Sequence, residues 1–477
     1  MRYARIAASL ATTAGLAAFA QAQTQCSSED AKVTPASVAT DDDFGASFDA
    51  AAAGFGVVGA PIGGADGAGR AFIYAINPTV PQLQFTLAPN DGENADRFGA
   101  DVAADNALAL VGAPFENELG PAAGAAYLFL RSTGAQIDKL TASDGRGLDL
   151  FGGAVDIDFD RAVVGASDKS SSTGAVYVFE IVGLDAVERF KLTASDAAAV
   201  DRFGSSVAID GGGVTAGEVG YALIGAIGND DMGASSGSAY LFNIETGLET
   251  AKIVPADATT GNNFGFVVDL LIEGDVALAA IASDTSNPDG STGSVYLYDV
   301  SDRANPVQLS KVLPTDPIGV GGFGISVSLT EDLLLVGASS GETTLAGTAY
   351  AFDISDPANP VQTSIIRPAD AIPFARFGTS SALYQSPSGL RVLAGAPSAN
   401  SGDPVPGTPN TGALYALTVS GCRPDIDGDC LLTIFDFLGF QNLFDAGDLA
   451  ADFDGDGSLT IFDFLAFQNA FDAGCGG

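Results

Sequence analysis

Short apolar runs alternate with glycine- and aspartate-rich turns along most of the 477 residues of this chain. A Phe-Gly pair recurs seven times, at intervals of 52 to 61 residues. The pairs begin at Phe44, Phe98, Phe151, Phe203, Phe264, Phe323 and Phe377. Self-similarity at a nearly constant interval indicates one structural unit repeated along the chain.

Every repeat carries the same further elements in the same order. A run of small residues follows each pair, as in residues 58–61 and 111–114, which both have the sequence VGAP. A glycine and an aromatic strand come next, such as residues 127–129 (YLF), and then a strand such as residues 191–196 (KLTASD). A four-stranded unit cannot bury both of its faces alone, so its neighbours must stack on it. The pattern predicts an all-β, seven-bladed propeller over residues 32–420.

The two ends of this region are in phase with each other. Residues 32–43 are similar to the strand that precedes every other Phe-Gly pair. We therefore expect the first and last blades to close the ring.

The repeats resemble FG-GAP repeats, the units of integrin-α-type propellers and of many bacterial secreted proteins. The resemblance rests on three elements that recur in order: Phe-Gly, the VGAP-like run and the aromatic strand. It implies that each Phe packs between blades and that the small residues allow close approach of the sheets. A structural role is therefore expected for both.

Some integrin-type blades bind calcium through Asp-rich loops, but that pattern is largely absent here. Residues 156–160 contain alternating acids, yet they fall where the repeat places a strand. Asp91, Asn94 and Asp96 form another acidic loop without suitable spacing. We expect these acids to form turns and to face solvent.

The pattern changes at Cys422, where two acidic loops are each followed by an apolar segment of helical period. Residues 431–448 and 458–475 share 14 of 18 residues. Positions 1, 3, 5, 7, 9 and 12 of the two loops are Asp425, Asp427, Asp429, Leu431, Thr433 and Asp436, and Asp452, Asp454, Asp456, Ser458, Thr460 and Asp463. Calcium takes six to eight oxygen ligands, and this spacing wraps carboxylates around one ion. The sequence therefore predicts two Ca²⁺ sites.

The two loops differ at position 6, where a sharp turn is needed. Gly457 occupies it in the second loop, whereas Cys430 occupies it in the first. A residue other than glycine adopts this conformation at a cost of roughly 1–2 kcal/mol. We expect the first site to be the weaker one.

Residues 435–444 and 462–471 are predicted to form Phe-rich amphipathic helices. A single helix after each loop, with Asp at position 12, resembles a dockerin module, an all-α, EF-hand-like unit. The cysteines near its ends make it similar to the dockerin variant of planctomycete-type bacteria. The resemblance implies a cohesin-like protein partner that binds next to position 12. Four apolar residues stand there, which suggests a different partner or burial within the module: Ile434, Phe435, Ile461 and Phe462.

Composition narrows the range of functions. The net charge of −39 disfavours binding to nucleic acids and to anionic membranes. The chain has no His, which removes the commonest general base and zinc ligand. No catalytic constellation or organic cofactor site stands out from the repeated turns, so no catalytic residue is predicted.

The N-terminus has the features of a signal peptide. Arg2 and Arg5 precede an apolar run that ends at an Ala-x-Ala cleavage site, residues 20–22. We therefore predict a secreted protein, extracellular or associated with the cell surface, with no transmembrane segment. The predicted units are a signal peptide (1–22), an N-terminal segment (23–31), the propeller (32–420) and the dockerin-like module (421–477).

Four cysteines allow three disulfide connectivities. A bridge from Cys422 to Cys475 would clasp the two ends of the module and is preferred. A bridge from Cys422 to Cys430 is the main alternative, and Cys26 remains unassigned.

These features favour a non-catalytic binding and assembly protein. The propeller would present a face to an unknown protein or glycan, and the module would attach it to a cohesin-like or cell-surface partner. Two alternatives stay open: a calcium-dependent adhesin, and a polysaccharide hydrolase that carries a dockerin.

Overall fold

The structure is a computed structural model that describes most of the chain. The described residues are 25–39, 41–64, 67–211, 219–274, 276–286, 292–315, 321–340, 346–370, 372–386, 389–399, 411–421, 426, 434–448, 451–453 and 458–473. The predicted signal peptide, Cys422, Cys430, Cys475 and the side chain of Cys26 lie outside this part, so no disulfide pairing is tested.

Seven antiparallel four-stranded sheets form the propeller, which confirms the predicted β fold. Blades 1 to 3 consist of β2 (Phe48–Ala51), β3 (Phe55–Ala60), β4 (Arg70–Ala75), β5 (Gln82–Leu87); β6 (Val102–Ala104), β7 (Leu108–Ala113), β8 (Ala125–Leu130), β9 (Gln136–Leu140); and β10 (Phe151–Asp158), β11 (Arg161–Ala166), β12 (Ala175–Val182), β13 (Asp185–Leu192). Blades 4 and 5 consist of β14 (Phe203–Asp210), β15 (Tyr221–Ala226), β16 (Ser238–Asn243), β17 (Leu248–Ile253); and β18 (Phe264–Glu273), β19 (Val276–Ser286), β20 (Thr292–Asp299), β21 (Val307–Val312). Blades 6 and 7 consist of β22 (Phe323–Leu329), β23 (Leu333–Ala338), β24 (Thr348–Asp353), β25 (Val361–Ile366); and β26 (Ser380–Ser386), β27 (Gly389–Ala396), β28 (Ala413–Gly421), β1 (Gln25–Val33).

The described residues include, besides the strands, a four-residue turn α1 (Lys169–Ser172) and the helices α2 (Ile434–Ala446) and α3 (Ile461–Ala473). The first strand of each blade contacts the first strand of the next, all the way around the ring. These seven strands therefore surround a central channel, as in other propellers.

The N-terminal strand β1 closes the ring by serving as the fourth strand of blade 7. It pairs antiparallel with β28, beginning at Gln25 and thus before the predicted start at residue 32. A register shift between Glu29 and Ala31 matches the shift found between the third and fourth strands of the other six blades. Because β1 reproduces this irregularity, it is a true fourth strand of the repeat.

Neighbouring blades approach each other most closely through two glycines. A Cβ atom placed on Gly112 of the VGAP run would lie 2.0 Å from the carbonyl oxygen of Gly152 in the next Phe-Gly pair. The corresponding distance is 2.0 to 2.2 Å at five other interfaces. Blade 5 departs from this pattern, because Ala282 stands in place of the glycine there and faces Gly324. Any larger side chain at these glycines would push two blades apart.

The Phe of each Phe-Gly pair is fully buried between blades, as predicted. Phe98, for example, contacts the edges of Tyr127 and Phe129 in its own blade, with ring centroids 5.6 and 5.7 Å apart. It shares one hydrophobic cluster with Val57 and Ile73 of the preceding blade. Each of the seven Phe residues belongs to a different hydrophobic cluster, so every blade interface has its own apolar core.

A second, polar connection joins blades near the outer edge of the ring. Tyr240 and Lys252 of blade 4 both bind Asp196 of the preceding linker, at 2.8 and 2.5 Å. Four further interfaces place a Tyr and a Lys beside such an Asp: Tyr127, Lys139 and Asp91; Tyr177, Lys191 and Asp144; Tyr296, Lys311 and Asp257; Tyr415, Lys32 and Asp370. In blade 7 the lysine comes from β1, so the ring closes with the same contact.

Aspartates on the first strands provide a third connection, inside the channel. Asp101 accepts hydrogen bonds from the amide of Val102 at 3.0 Å and from that of Val155 in the next blade at 2.8 Å. Asp49, Asp156, Asp210 and Asp269 bind the next blade in the same way. The first strand of each blade is a sheet edge whose free amides face the channel. The carboxylates accept hydrogen bonds from these amides, which would otherwise have no partner in the sheet.

The channel aspartates are half-buried. Burial raises the pKa of Asp101 to about 7, and the charge of Asp49 adds to this shift. Burial and Asp49 also raise the pKa of Asp156 well above its usual value. The folded ring therefore retains protons that the unfolded chain, with Asp pKa values near 3.9, releases.

This difference predicts how the stability of the propeller depends on pH. The contribution of a group with a raised pKa is fully present below its unfolded value and is lost as pH rises through the folded value. We expect the Tm to fall as the pH rises from about 4 to about 7, and Asp101→Asn to flatten that dependence. Thermal unfolding followed by circular dichroism measures it, with Asp185→Asn, at the exposed first residue of β13, as the control. An unchanged slope in Asp101→Asn would contradict this assignment.

Candidate calcium-binding module

Two predicted helices are present in the C-terminal part of the chain, with slightly wider bounds than predicted. Of the twelve predicted calcium ligands, the structure describes Asp436, Asp452, Ser458, Thr460 and Asp463. The other seven lie outside the described residues: Asp425, Asp427, Asp429, Leu431, Thr433, Asp454 and Asp456. The position-6 residues Cys430 and Gly457 lie outside them as well, so the expected difference between the two sites remains a prediction.

The two helices pack through phenylalanines that are related by an internal two-fold. Phe440 of α2 stacks on its repeat equivalent Phe467 of α3, with centroids 4.2 Å apart and ring planes within 10°. The contacts Phe437–Phe467 and Phe440–Phe464 are equivalent, and each has a centroid distance of 6.1 Å and an angle of 58°. The sequence duplication is thus matched by near-identical geometry.

Position 12 of each loop lies in the first turn of a helix, and its side chain is completely buried. Asp436 and Asp463 are both 0% exposed. Asp436 accepts the amide of Ile426 at 2.8 Å, which ties the start of the first loop to α2. Asp463 accepts the amide of Thr460 at 2.7 Å. Each carboxylate is therefore held in a fixed position at the point where its loop joins the helix.

The donor set around these carboxylates fits a hard divalent cation. Residues 422–477 contain eleven Asp and one basic residue, Arg423. Buried carboxylates without a compensating positive charge cost several kcal/mol each. Calcium bound by Asp436 in one loop and by Asp452, Thr460 and Asp463 in the other would supply that charge.

The apolar residues beside position 12 are exposed, so burial within the module is not the explanation for them. Ile434 and Phe435 are 63% and 65% exposed, and Ile461 and Phe462 are both 64% exposed. Leu438 and Leu465 extend the two groups, at 46% and 47%. We call Ile434, Phe435 and Leu438 the first apolar patch, and Ile461, Phe462 and Leu465 the second apolar patch.

The acids in the blades occupy other roles. Asp156 belongs to β10, as its place in the repeat predicted, but it forms no solvent-facing turn: its carboxylate accepts the amide of Ile209 in the next blade at 2.7 Å. Asp91 and Asn94 are exposed, whereas Asp96 is buried, contrary to the expected solvent-facing position. Asp96 does form a turn, since its carboxylate accepts the amide of Glu93 at 2.6 Å.

A family model described as FG-GAP repeat matches residues 82–129, 135–179 and 187–242. The propeller therefore contains FG-GAP repeats. Each matched segment begins in, or one residue before, the fourth strand of one blade and ends in the third strand of the next, so the sequence repeat is offset from the sheets. The other four FG-GAP-like units share the Phe-Gly pair and its buried position.

No curated protein matches the chain. Among the described residues, no helix combines the length and apolar composition needed to span a bilayer.

Sequence reasoning missed the Tyr–Lys–Asp connection between blades, although its signal is visible. Motifs such as residues 191–196 (KLTASD) place a lysine and an aspartate five residues apart, but these two belong to different interfaces. The lysine binds the aspartate of the preceding repeat, so the pairing crosses the repeat boundary.

We expect calcium to order the module through the two buried carboxylates. Asp436→Asn or Asp463→Asn should each weaken Ca²⁺ binding at one site, and the double variant should lose the calcium-dependent helical signal. Titration of the full chain by calorimetry and by circular dichroism at 222 nm measures both effects. Asp445→Asn, an exposed position on α2, is the matched control. Wild-type-like calcium binding by the double variant would contradict the assignment.

Proposed function

We propose that this protein is a secreted, non-catalytic binding protein with a calcium-dependent docking module at its C-terminal end. The propeller serves as an interaction platform, a role for which the FG-GAP fold is well suited. The module attaches the propeller to a cohesin-like or cell-surface protein. The predicted signal peptide over residues 1–22 supports export.

The observation that carries the proposal is the position of the two apolar patches. Each lies on the first turns of a helix, directly beside a buried position-12 carboxylate. Exposed apolar residues clustered on a small unit mark a surface that binds another protein. Calcium, by fixing the loop against the helix, would hold each patch in its binding geometry.

The module has two equivalent apolar patches, which are related by its internal two-fold symmetry. The three residues of one patch match those of the other in exposure to within about two percentage points. Either patch can therefore meet the same partner, and a variant in one patch alone would leave the other intact.

A binding experiment that alters both patches tests the proposal. Immobilised full-length protein is incubated with cell-envelope proteins and culture-medium proteins of its source organism, in the presence of either calcium or a chelator. Each captured protein is then purified, and its affinity for the full-length protein is measured by titration. We expect calcium-dependent capture that Phe435→Asp combined with Phe462→Asp reduces at least about a hundredfold in affinity. The control is Leu184→Asp, at a propeller residue that is 52% exposed.

Two outcomes would contradict the proposal. Capture that persists in chelator would exclude calcium-dependent docking. Capture unaffected by the double variant would move the binding surface away from the two patches and towards the propeller.

A further inference from the structure

In three consecutive blades, the linker that precedes the Phe-Gly pair contacts the loop that joins the second and third strands. The contact brings together one residue of the linker and one residue of the loop, at the same repeat positions in each blade. One position lies two residues before the Phe of Phe-Gly: Asp96, Asp149 and Asp201 in blades 2, 3 and 4. The other lies in the loop after the VGAP-like run: Glu116, Lys169 and Asn229. Backbone hydrogen bonds from Phe115 to Asp96 and from Gly228 to Asp201 hold the two segments together.

Blade 3 places a cation at this point. The Lys169 ammonium lies 2.7 Å from Asp149 Oδ2 and donates to the carbonyl oxygen of Asp144 at 2.9 Å. It is also 3.1 Å from Asp144 Oδ1. The Lys169 and Asp149 side chains are 4% and 5% exposed, so this is a buried and compensated ion pair.

Blade 4 places a neutral hydrogen-bonding group there. Asn229 is 3% exposed and Asp201 is 2% exposed, and the two side chains are hydrogen bonded. The amide supplies a donor to the carboxylate, so no cation is needed.

Blade 2 has neither a cation nor a donor at the equivalent point. Glu116 replaces the lysine and faces Asp96, and the two residues are 7% and 1% exposed. Two buried oxygens, Asp96 Oδ1 and Glu116 Oε2, have no hydrogen-bond partner. Their companion oxygens are satisfied, by the amides of Glu93 and Glu118 at 2.6 and 2.9 Å. Burial and the charge of Glu116 raise the pKa of Asp96.

The nearby lysine does not correct this imbalance. Lys139 lies 2.5 Å from Asp91 Oδ2 and 2.8 Å from Glu118 Oε2, as its position in the Tyr–Lys–Asp connection requires. It reaches only the other oxygen of Glu116, at 3.2 Å. One carboxylate oxygen from each of Asp91, Glu116 and Glu118 lies within 4.8 Å of the others. The pocket therefore has several carboxylates and a single ammonium.

We propose that blade 2 binds a Ca²⁺ ion between Asp96 and Glu116, at the point that the Lys169 ammonium occupies in blade 3. Asp96 Oδ1 and Glu116 Oε2 are the carboxylate ligands. By equivalence with Asp144, the carbonyl oxygen of Asp91 is a third ligand, and water completes the shell. Calcium suits this set because it accepts mixed carboxylate, carbonyl and water oxygens in flexible geometry.

The site is separate from the loops of the C-terminal module, and spectroscopy can distinguish the two. The chain contains no Trp, and its 11 Tyr all precede residue 416. Tyr127 lies beside the proposed site, because Lys139 Nζ is 5.6 Å from its ring centroid. Tb³⁺, which replaces calcium, should therefore emit on tyrosine excitation when bound in blade 2, while the module has no sensitiser of its own.

Titration of the full chain with Tb³⁺ under tyrosine excitation tests the proposal. We expect saturable emission that added Ca²⁺ displaces, with affinity reduced at least about tenfold in Glu116→Gln and in Asp96→Asn. Glu116→Lys, which copies blade 3, should abolish the emission and raise the Tm in chelator. Asp201→Asn in blade 4 should leave the emission unchanged.

The opposite results would overturn the proposal. Absence of sensitised emission, or emission unchanged in Glu116→Gln and Asp96→Asn, would mean that the two carboxyl groups share a proton instead of a metal. If the Gln variant does not fold, Glu116→Lys decides the question: a folded Lys variant that still emits excludes this site.

Discussion

The ring depends on a close approach of neighbouring blades, which two glycines in backbone contact provide at six of the seven junctions. Gly112 and Gly152 represent this contact, in which the space for a single methyl group is already filled by a carbonyl oxygen. At this interface the short separation encloses Phe151 between two sheets and lets Asp101 accept the amide of Val155 in the next blade. The aromatic clusters, the channel hydrogen bonds and the outer Tyr–Lys–Asp connections all require close approach of neighbouring blades. Where blade 5 has Ala282 instead of the glycine, Phe323 is still buried and Asp269 still binds the next blade.

Sequence patterns predicted the parts of the fold that repeat in register. The Phe-Gly pairs and the small-residue runs gave the seven blades because the same steric requirement recurs at the same position. The channel aspartates could not be found this way: Asp101, Asp49 and Asp210 lie three, five and seven residues after their Phe, so they do not align. They still face one channel, because these offsets differ by two residues, the period of a strand.

The polar contacts between blades could not be predicted from the sequence either, because the two partners of each contact belong to different repeats. The proximity of Glu116 and Asp96, for example, is seen only in the three-dimensional structure, where both side chains are buried. In the C-terminal module, by contrast, local spacing was informative, because the duplicated apolar pattern predicted both helices. Exposure of Phe435 and Phe462 needed the structure, since helical period alone leaves an apolar residue free to face a core or a partner.

The free energy of unfolding of Gly112→Ala measures the steric condition directly. The added methyl group would lie 2.0 Å from the Gly152 carbonyl oxygen, so we expect a loss of about 1–3 kcal/mol or more in denaturant unfolding. Gly153→Ala is the matched control, because its methyl group would meet nothing closer than 3.2 Å, and a change within about 0.5 kcal/mol is expected. Equal stability of the two variants would contradict the account.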